Sequence, residues 1–226
     1  MVSGYFGVPG CGKSTMLAKF AQRELRRIRS GKSPYDHVLT NFYCQGCEKI
    51  DFSDLGKYKM FNCLILLDEL TLDSDSRDYK SFSLSSKKFF TLHRHLHCDI
   101  IYFVQDFSRV DKTIRNVTYD LWYVTRSVVP FFRRFSKARR IFRNVVINEF
   151  TGDLILGYRF SKFLERVFSK TVRITYLPHW YRFFDSYDCH DFDKLKDYLY
   201  VPWDSVLENL PEDVISDHIP VLSSKK

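Results

Sequence analysis

The chain has 226 residues, 45% of them hydrophobic and 17% aromatic, with a formal net charge of +8. That length supports one sizeable α/β domain with appendages and excludes two full domains. No apolar run reaches about 18 residues, so no membrane-spanning helix is expected. The positive balance suits nucleic acid or an acidic membrane face, but is also common in soluble proteins that bind neither.

A short apolar segment around Val2 to Phe6 predicts a strand. It leads into Gly7-Val8-Pro9-Gly10-Cys11-Gly12-Lys13-Ser14-Thr15, a full match to G-x-x-x-x-G-K-[ST]. A helix is expected from Thr15 to about Ser30, with Met16, Leu17, Phe20, Leu25 and Ile28 on its apolar side. Strand, glycine-rich turn and helix together make a phosphate-binding loop, whose backbone N–H groups and helix N-terminus attract phosphate oxygens. Gly7, Gly10, Cys11, Gly12, Lys13, Ser14 and Thr15 are the candidate nucleotide-binding residues. Lys13 is expected to reach the β- and γ-phosphates of ATP, and Ser14 to ligate Mg²⁺. With the loop this close to Met1, no signal peptide is expected ahead of it.

His37 to Tyr43 predicts a second strand, and Cys44 to Met60 a connection. Cys44-Gln45-Gly46-Cys47 is the one cysteine pair at metal-ligand spacing, but no second pair completes a four-ligand zinc site. Free thiols are the expectation, with metal binding at Cys44 and Cys47 left open. Phe61 to Leu67 is a continuous apolar run, as befits a strand covered on both faces of a parallel sheet. It ends in Asp68-Glu69, at the carboxyl edge where open α/β sheets bind ligands. Asp68 is the second candidate Mg²⁺ ligand, and Glu69 the candidate general base for an attacking water.

Leu72 to Tyr79 is polar and acidic. Ser86 to His97 predicts a helix, and Asp99 to Gln105 a third core strand with Gln105 at its tip, where it can sense the γ-phosphate or orient water. A nucleotide-gated binding switch without turnover is the alternative to hydrolysis. Arg94, Arg109 and Arg115 are the arginines expected near the nucleotide edge or a subunit boundary, Arg115 and Arg94 ahead of Arg109, as candidates for an arginine finger.

Tyr119 to Thr125 predicts a further strand, and Arg140 to Phe160 a β-hairpin around Thr151-Gly152-Asp153, so that a basic hairpin is expected near 138–160. No acid occurs from Leu121 to Asn148, while the stretch 126–143 mixes arginines with phenylalanines. That mixture suits single-stranded DNA, an anionic membrane surface or a plain solvated face. Short elements are expected at 161–169 (helix) and 172–176 (strand). Six acids and no Lys or Arg occupy 197–223, which predicts an acidic tail over 191–226.

The set Thr91-Leu92-His93-Arg94-His95, Asp99-Ile100, Gln105-Asp106 and Asp111 to Arg115, echoed late by Phe184-Asp185-Ser186-Tyr187-Asp188, resembles the zonular occludens toxin (Zot) family, which includes the assembly ATPases of filamentous phages. The resemblance implies an ATPase domain over about 1–190, of the P-loop class with an added central strand and a catalytic glutamate. It also implies a homo-oligomer that drives extrusion of single-stranded-DNA phage, in contact with a phage assembly or membrane complex. A DNA-packaging or conjugation-type motor would share the same site. Two departures stand out: the phosphate loop is more regular than is usual in the family, and the transmembrane segment that usually follows the ATPase domain is missing. A cytoplasmic protein held at the inner membrane face through a partner is the resulting expectation. The fold class expected is a three-layer α/β P-loop fold, its largely parallel sheet built from strands near 2–7, 37–43, 62–68, 99–105 and 119–125.

Overall fold

The apolar runs become strands, and their alternating side chains serve two different layers. The computed structural model describes residues 1–70, 84–127, 129–147, 154–162, 165 and 169–184, all within the unit Met1–Asp188. The strands are β1 (Val2–Phe6), β2 (His37–Thr40), β3 (Glu48–Lys49), β4 (Cys63–Leu67), β5 (Asp99–Val104), β6 (Asp120–Arg126), β7 (Phe135–Ile147), β8 (Leu154–Phe160) and β9 (Val172–Tyr176). The helices are α1 (Lys13–Arg29), α2 (Leu84–Leu92) and α3 (Lys112–Val117). Outside the described residues lie the acidic segment 72–79, the hairpin turn 151–153, most of the expected helix 161–169, positions 185–188 and the tail over 191–226.

The strands form one sheet in the order β3-β2-β4-β5-β1-β6-β7-β8, with β9 also on β7. From β3 to β6 every pairing is parallel; β7 runs antiparallel to β6, β8 and β9. The strand bearing the phosphate loop, β1, therefore does not touch β4, which bears the acidic pair. β5 lies between them, pairing Tyr5 with Phe103 on one side and Leu66 with Ile101 on the other.

Within β4, Leu64 and Leu66 pack with Met16, Leu17, Ala18 and Ala21 of α1. Ile65 and Leu67 pack on the other face with Phe89 and Phe90 of α2 and Ile114 of α3. A five-residue strand buried along its whole length is what a continuous apolar run predicts for the centre of three layers. On the α1 face, Tyr5 stacks on Phe103 (4.6 Å between centroids) and on Trp122 (5.7 Å). The Arg173 guanidinium lies 4.3 Å over the Trp122 ring and donates to the Tyr5 hydroxyl at 2.6 Å.

Two local expectations shift. Helix α1 starts two residues early, at Lys13, because Gly12 (φ 92°) turns the chain straight into the helix. The helix expected to reach His97 stops at Leu92 and continues as a 3-10 turn over His93–Leu96. There the His93 ring bonds the Phe90 carbonyl, and His97 closes the turn in the left-handed region (φ 52°). The expected basic hairpin is the pair β7–β8, with register from Ile141 opposite Phe160 to Ile147 opposite Leu154.

Gly7 leaves β1 against β6, and a Cβ there would stand 2.3 Å from the Val124 carbonyl oxygen. Neither strand can yield without breaking its ladder. Gly7→Ala should cost about 1–3 kcal/mol, lowering the thermal midpoint by roughly 5 °C, as read by differential scanning calorimetry.

Candidate nucleotide site

Because the strands run parallel, the turns after β1, β2, β4 and β5 all emerge at one edge of the sheet. The phosphate loop follows β1. Gly12 adopts φ 92°, ψ 31°, open to glycine at no steric cost, and a Cβ there would meet Leu177 at 2.6 Å. Lys13 and Ser14 thus open α1, and Thr15 is buried behind them. The Lys13 ammonium donates to the Gly7 carbonyl at 2.9 Å and to the Val8 carbonyl at 3.3 Å. Gly10 lies at the open crest of the loop, with room for a side chain. Cys11 is buried, and burial pushes its thiol above the usual range.

Ser14 Oγ donates to Asp68 Oδ2 at 2.5 Å. The other Asp68 oxygen accepts the Glu69 N–H at 3.1 Å. Burial pushes the Asp68 carboxyl up to about 6, against the opposing pull of the Ser14 hydroxyl. Glu69 takes a left-handed backbone (φ 48°), which turns the chain off β4. Its Oε1 accepts from Gln105 Nε2 at 3.3 Å, and its Oε2 is buried without a hydrogen-bond partner among the described residues. The structure therefore brings together Gly7, Lys13, Ser14, Asp68, Glu69 and Gln105.

Two residues at this edge escape a reading of the sequence. Asn41, just beyond β2, donates to the Asp68 carbonyl at 2.9 Å and accepts the Asp68 N–H at 2.7 Å. Both hydrogen bonds of that peptide position run to one side chain. Arg126, the last residue of β6, donates to the Gly10 carbonyl at 3.4 Å and to the Arg133 carbonyl at 2.6 Å. Each is a polar residue at the tip of a strand, the same signal that singled out Gln105.

The expected arginines divide by edge. Arg109 follows β5 at the nucleotide edge and is exposed. Arg94 precedes β5 and lines a concavity of about 270 Å³ with Met1, Tyr35 and Asp99 at the opposite, amino edge. Arg115 precedes β6; its carbonyl accepts from Arg143 at 2.5 Å, and its Nε is buried without a partner among the described residues. Within one chain, Arg94 and Arg115 do not lie at the loop, because a residue just before a parallel strand falls at the far edge from one just after it.

Cys44 and Cys47 are free thiols joined by a tight turn, Cys47 N–H to Cys44 carbonyl at 3.0 Å. Among the described residues no cluster of three or more His, Cys, Asp or Glu could hold a metal. At the loop, by contrast, a hydroxyl and a buried carboxylate converge as hard oxygen donors, the set that suits Mg²⁺ with phosphate oxygens. A Cβ-free Gly7 and a helix N-terminus suit the phosphates themselves.

Residues 44–148 match the model of the zonular occludens toxin (Zot) family. Over that stretch the chain is Zot-like. The matched stretch includes Asp68, Glu69, Arg94, Gln105 and Arg115; the phosphate loop lies ahead of it. Among solved structures, this chain is similar to the N-terminal domain of zonular occludens toxin from Neisseria meningitidis, at 14% identity over 73% of this chain and 96% of that one (TM-score 0.46). It is also similar to B204, the DNA-packaging ATPase from Sulfolobus turreted icosahedral virus, at 9% identity over 69% and 95% (TM-score 0.39). A third likeness is the FIGL-1 AAA domain in complex with ADP, at 13% identity over 54% and 42% (TM-score 0.31). A search of curated proteins gave no match.

The geometry yields two expected outcomes. Asn41→Ala leaves the Asp68 N–H and carbonyl without their partner, and should cost about 1–3 kcal/mol in urea unfolding. For Asp68, the folded pKa of about 6 lies above the ordinary 3.8. Its contribution is full below about pH 4 and is lost as the pH rises through 6. Asp68→Asn removes that loss, so the variant should gain about 2 kcal/mol on the wild type between pH 4 and pH 7.5. Urea unfolding at the two pH values, without Mg²⁺ or nucleotide, measures it.

Proposed function

We propose that this Zot-like chain is a Mg²⁺-dependent ATPase, working as a homo-oligomer in the assembly and extrusion of a single-stranded-DNA phage. One observation carries the hydrolytic reading: Ser14, Asp68, Glu69 and Gln105 form a hydrogen-bonded row from the phosphate loop to the tip of β5. A phosphate loop alone would suit many nucleotide ligands. A carboxylate next to the metal-binding aspartate, held by an amide, suits activation of water.

In this reading Lys13 exchanges the Gly7 and Val8 carbonyls for phosphate oxygens. Ser14 and Asp68 hold Mg²⁺, which when bound offsets the charge of the β- and γ-phosphates. The Glu69 carboxylate accepts a proton from the attacking water, whose oxygen bonds the γ-phosphorus as the bond to ADP breaks. Gln105 holds Glu69 and registers whether the γ-phosphate is present. An arginine from a neighbouring subunit completes the charge balance, and Arg94 and Arg115 are candidates for that role only across a subunit boundary. Single-stranded DNA is the candidate polymer. The basic stretch 126–143 is a divided candidate for holding it, because Arg140 pairs with Asp120 and Arg143 with the Arg115 carbonyl.

Hydrolysis by wild type, Lys13→Ala and Glu69→Gln, with Mg²⁺ or with chelator, tests the reading. Lys13→Ala should lose nucleotide binding and turnover together. Glu69→Gln should keep ATP affinity within a few-fold and lose turnover by about 10²-fold or more. Turnover in wild type that is unchanged in Glu69→Gln would overturn the assignment of the base. Tight ATP binding without turnover in wild type would favour a nucleotide-gated switch.

A further inference from the structure

The connection from β6 to β7 carries an apolar tip that joins neither core cluster among the described residues. Its sequence is Val128-Val129-Pro130-Phe131-Phe132, five apolar residues in a row, with Arg126 before and Arg133-Arg134 after. A 3-10 turn over Pro130–Phe132, closed by the Phe132 N–H to the Val129 carbonyl at 3.0 Å, pushes the tip outward. Phe131 is 81% exposed, Val129 53% and Phe132 51%. Arg126, Arg133 and Arg134 are all exposed at its base, and the Arg126 guanidinium braces the turn through the Arg133 carbonyl. No acid occurs from Leu121 to Asn148 to offset them.

We infer that this tip inserts into the surface of an anionic phospholipid bilayer, with Val129, Phe131 and Phe132 among the acyl chains and Arg126, Arg133 and Arg134 on the headgroup phosphates. The arrangement supplies the two signals that stable membrane attachment takes, an apolar anchor and a cationic rim. Large apolar side chains exposed side by side are themselves a sign of a contact surface. Single-stranded nucleic acid fits less well. Base stacking uses open, separated ring faces, whereas Phe131 and Phe132 pack edge-on at 5.2 Å, interplanar angle 89°, beside a valine and a proline. The attachment does not depend on the proposed hydrolysis. It does reach the nucleotide edge, because the same Arg126 also bonds the Gly10 carbonyl of the phosphate loop.

Flotation of the full chain with vesicles of phosphatidylglycerol and phosphatidylcholine, against pure phosphatidylcholine, tests the inference. Binding should require phosphatidylglycerol and weaken about tenfold or more in Phe131→Ser/Phe132→Ser and in Arg133→Ala/Arg134→Ala. An unchanged thermal midpoint shows that each variant is folded. The indole of a Phe131→Trp variant should shift to shorter wavelength on phosphatidylglycerol vesicles and be quenched by brominated acyl chains. Vesicle binding that survives both double substitutions would overturn the inference, as would binding with no shift and no quenching. Oligothymidylate binding lost with the same substitutions, without any vesicle binding, would assign the tip to nucleic acid instead. Loss of self-association in sedimentation velocity, again without vesicle binding, would assign it to a second copy of the chain.

Discussion

The placement of β5 between β1 and β4 sets the geometry of the whole site. With strands about 4.8 Å apart, the phosphate loop and the acidic pair lie about 10 Å apart across the sheet. The first turn of α1 has to span that gap. It does so because Gly12 turns the chain directly into the helix, so that Ser14, the second helical residue, leans over β5 and meets Asp68. The intervening strand leaves its own tip residue between the two sides, where Gln105 meets Glu69. Had β4 paired directly with β1, no third strand tip would stand between the loop and the carboxylates.

The same topology governs the charges. Six parallel strands leave one edge for ligands, and the polar strand tips Asn41, Asp68, Gln105 and Arg126 gather there. The antiparallel half of the sheet handles its arginines differently. Arg140 is tied to Asp120 and lies over Phe142, Arg139 lies over Phe160, and Arg143 reaches the Arg115 carbonyl. Charges that look in the sequence like one continuous cationic stripe are thus split between bonds inside the sheet and the exposed turn at 126–134.

Legibility in the sequence followed the range of the interaction. The run Cys63 to Leu67 reads as a buried strand because burial on both faces leaves no polar residue in it, and the glycine spacing of the loop reads because the local backbone demands it. Strand order is set by contacts far apart in the chain. Asn41 therefore passed unnoticed, since only the neighbouring of β2 and β4 brings it to the Asp68 peptide. Within one chain Arg94 and Arg115 stand at the opposite edge for a related reason, which leaves them the subunit boundary. The direction of a parallel strand decides the edge, and each precedes its strand. The early end of α2 turned on one side chain, the His93 ring taking the Phe90 carbonyl.

At rest, the polar groups of the nucleotide edge already hold one another. Lys13 holds two loop carbonyls, Ser14 holds Asp68, and Gln105 holds Glu69. A phosphate entering the loop would exchange hydrogen bonds more than add to their number, and exchanged bonds contribute little net free energy. Attraction must come mainly from charge: the Lys13 ammonium, the N-terminus of α1, and a cation beside Asp68. Asp68 sharpens this point. A carboxyl raised to about 6 by burial is costly to ionise without a counter-charge, and a divalent cation supplies one. In the proposed reading nucleotide and cation would favour each other's binding, since each would relieve what the other faces alone, with the short bond from Ser14 to Asp68 as the link between them.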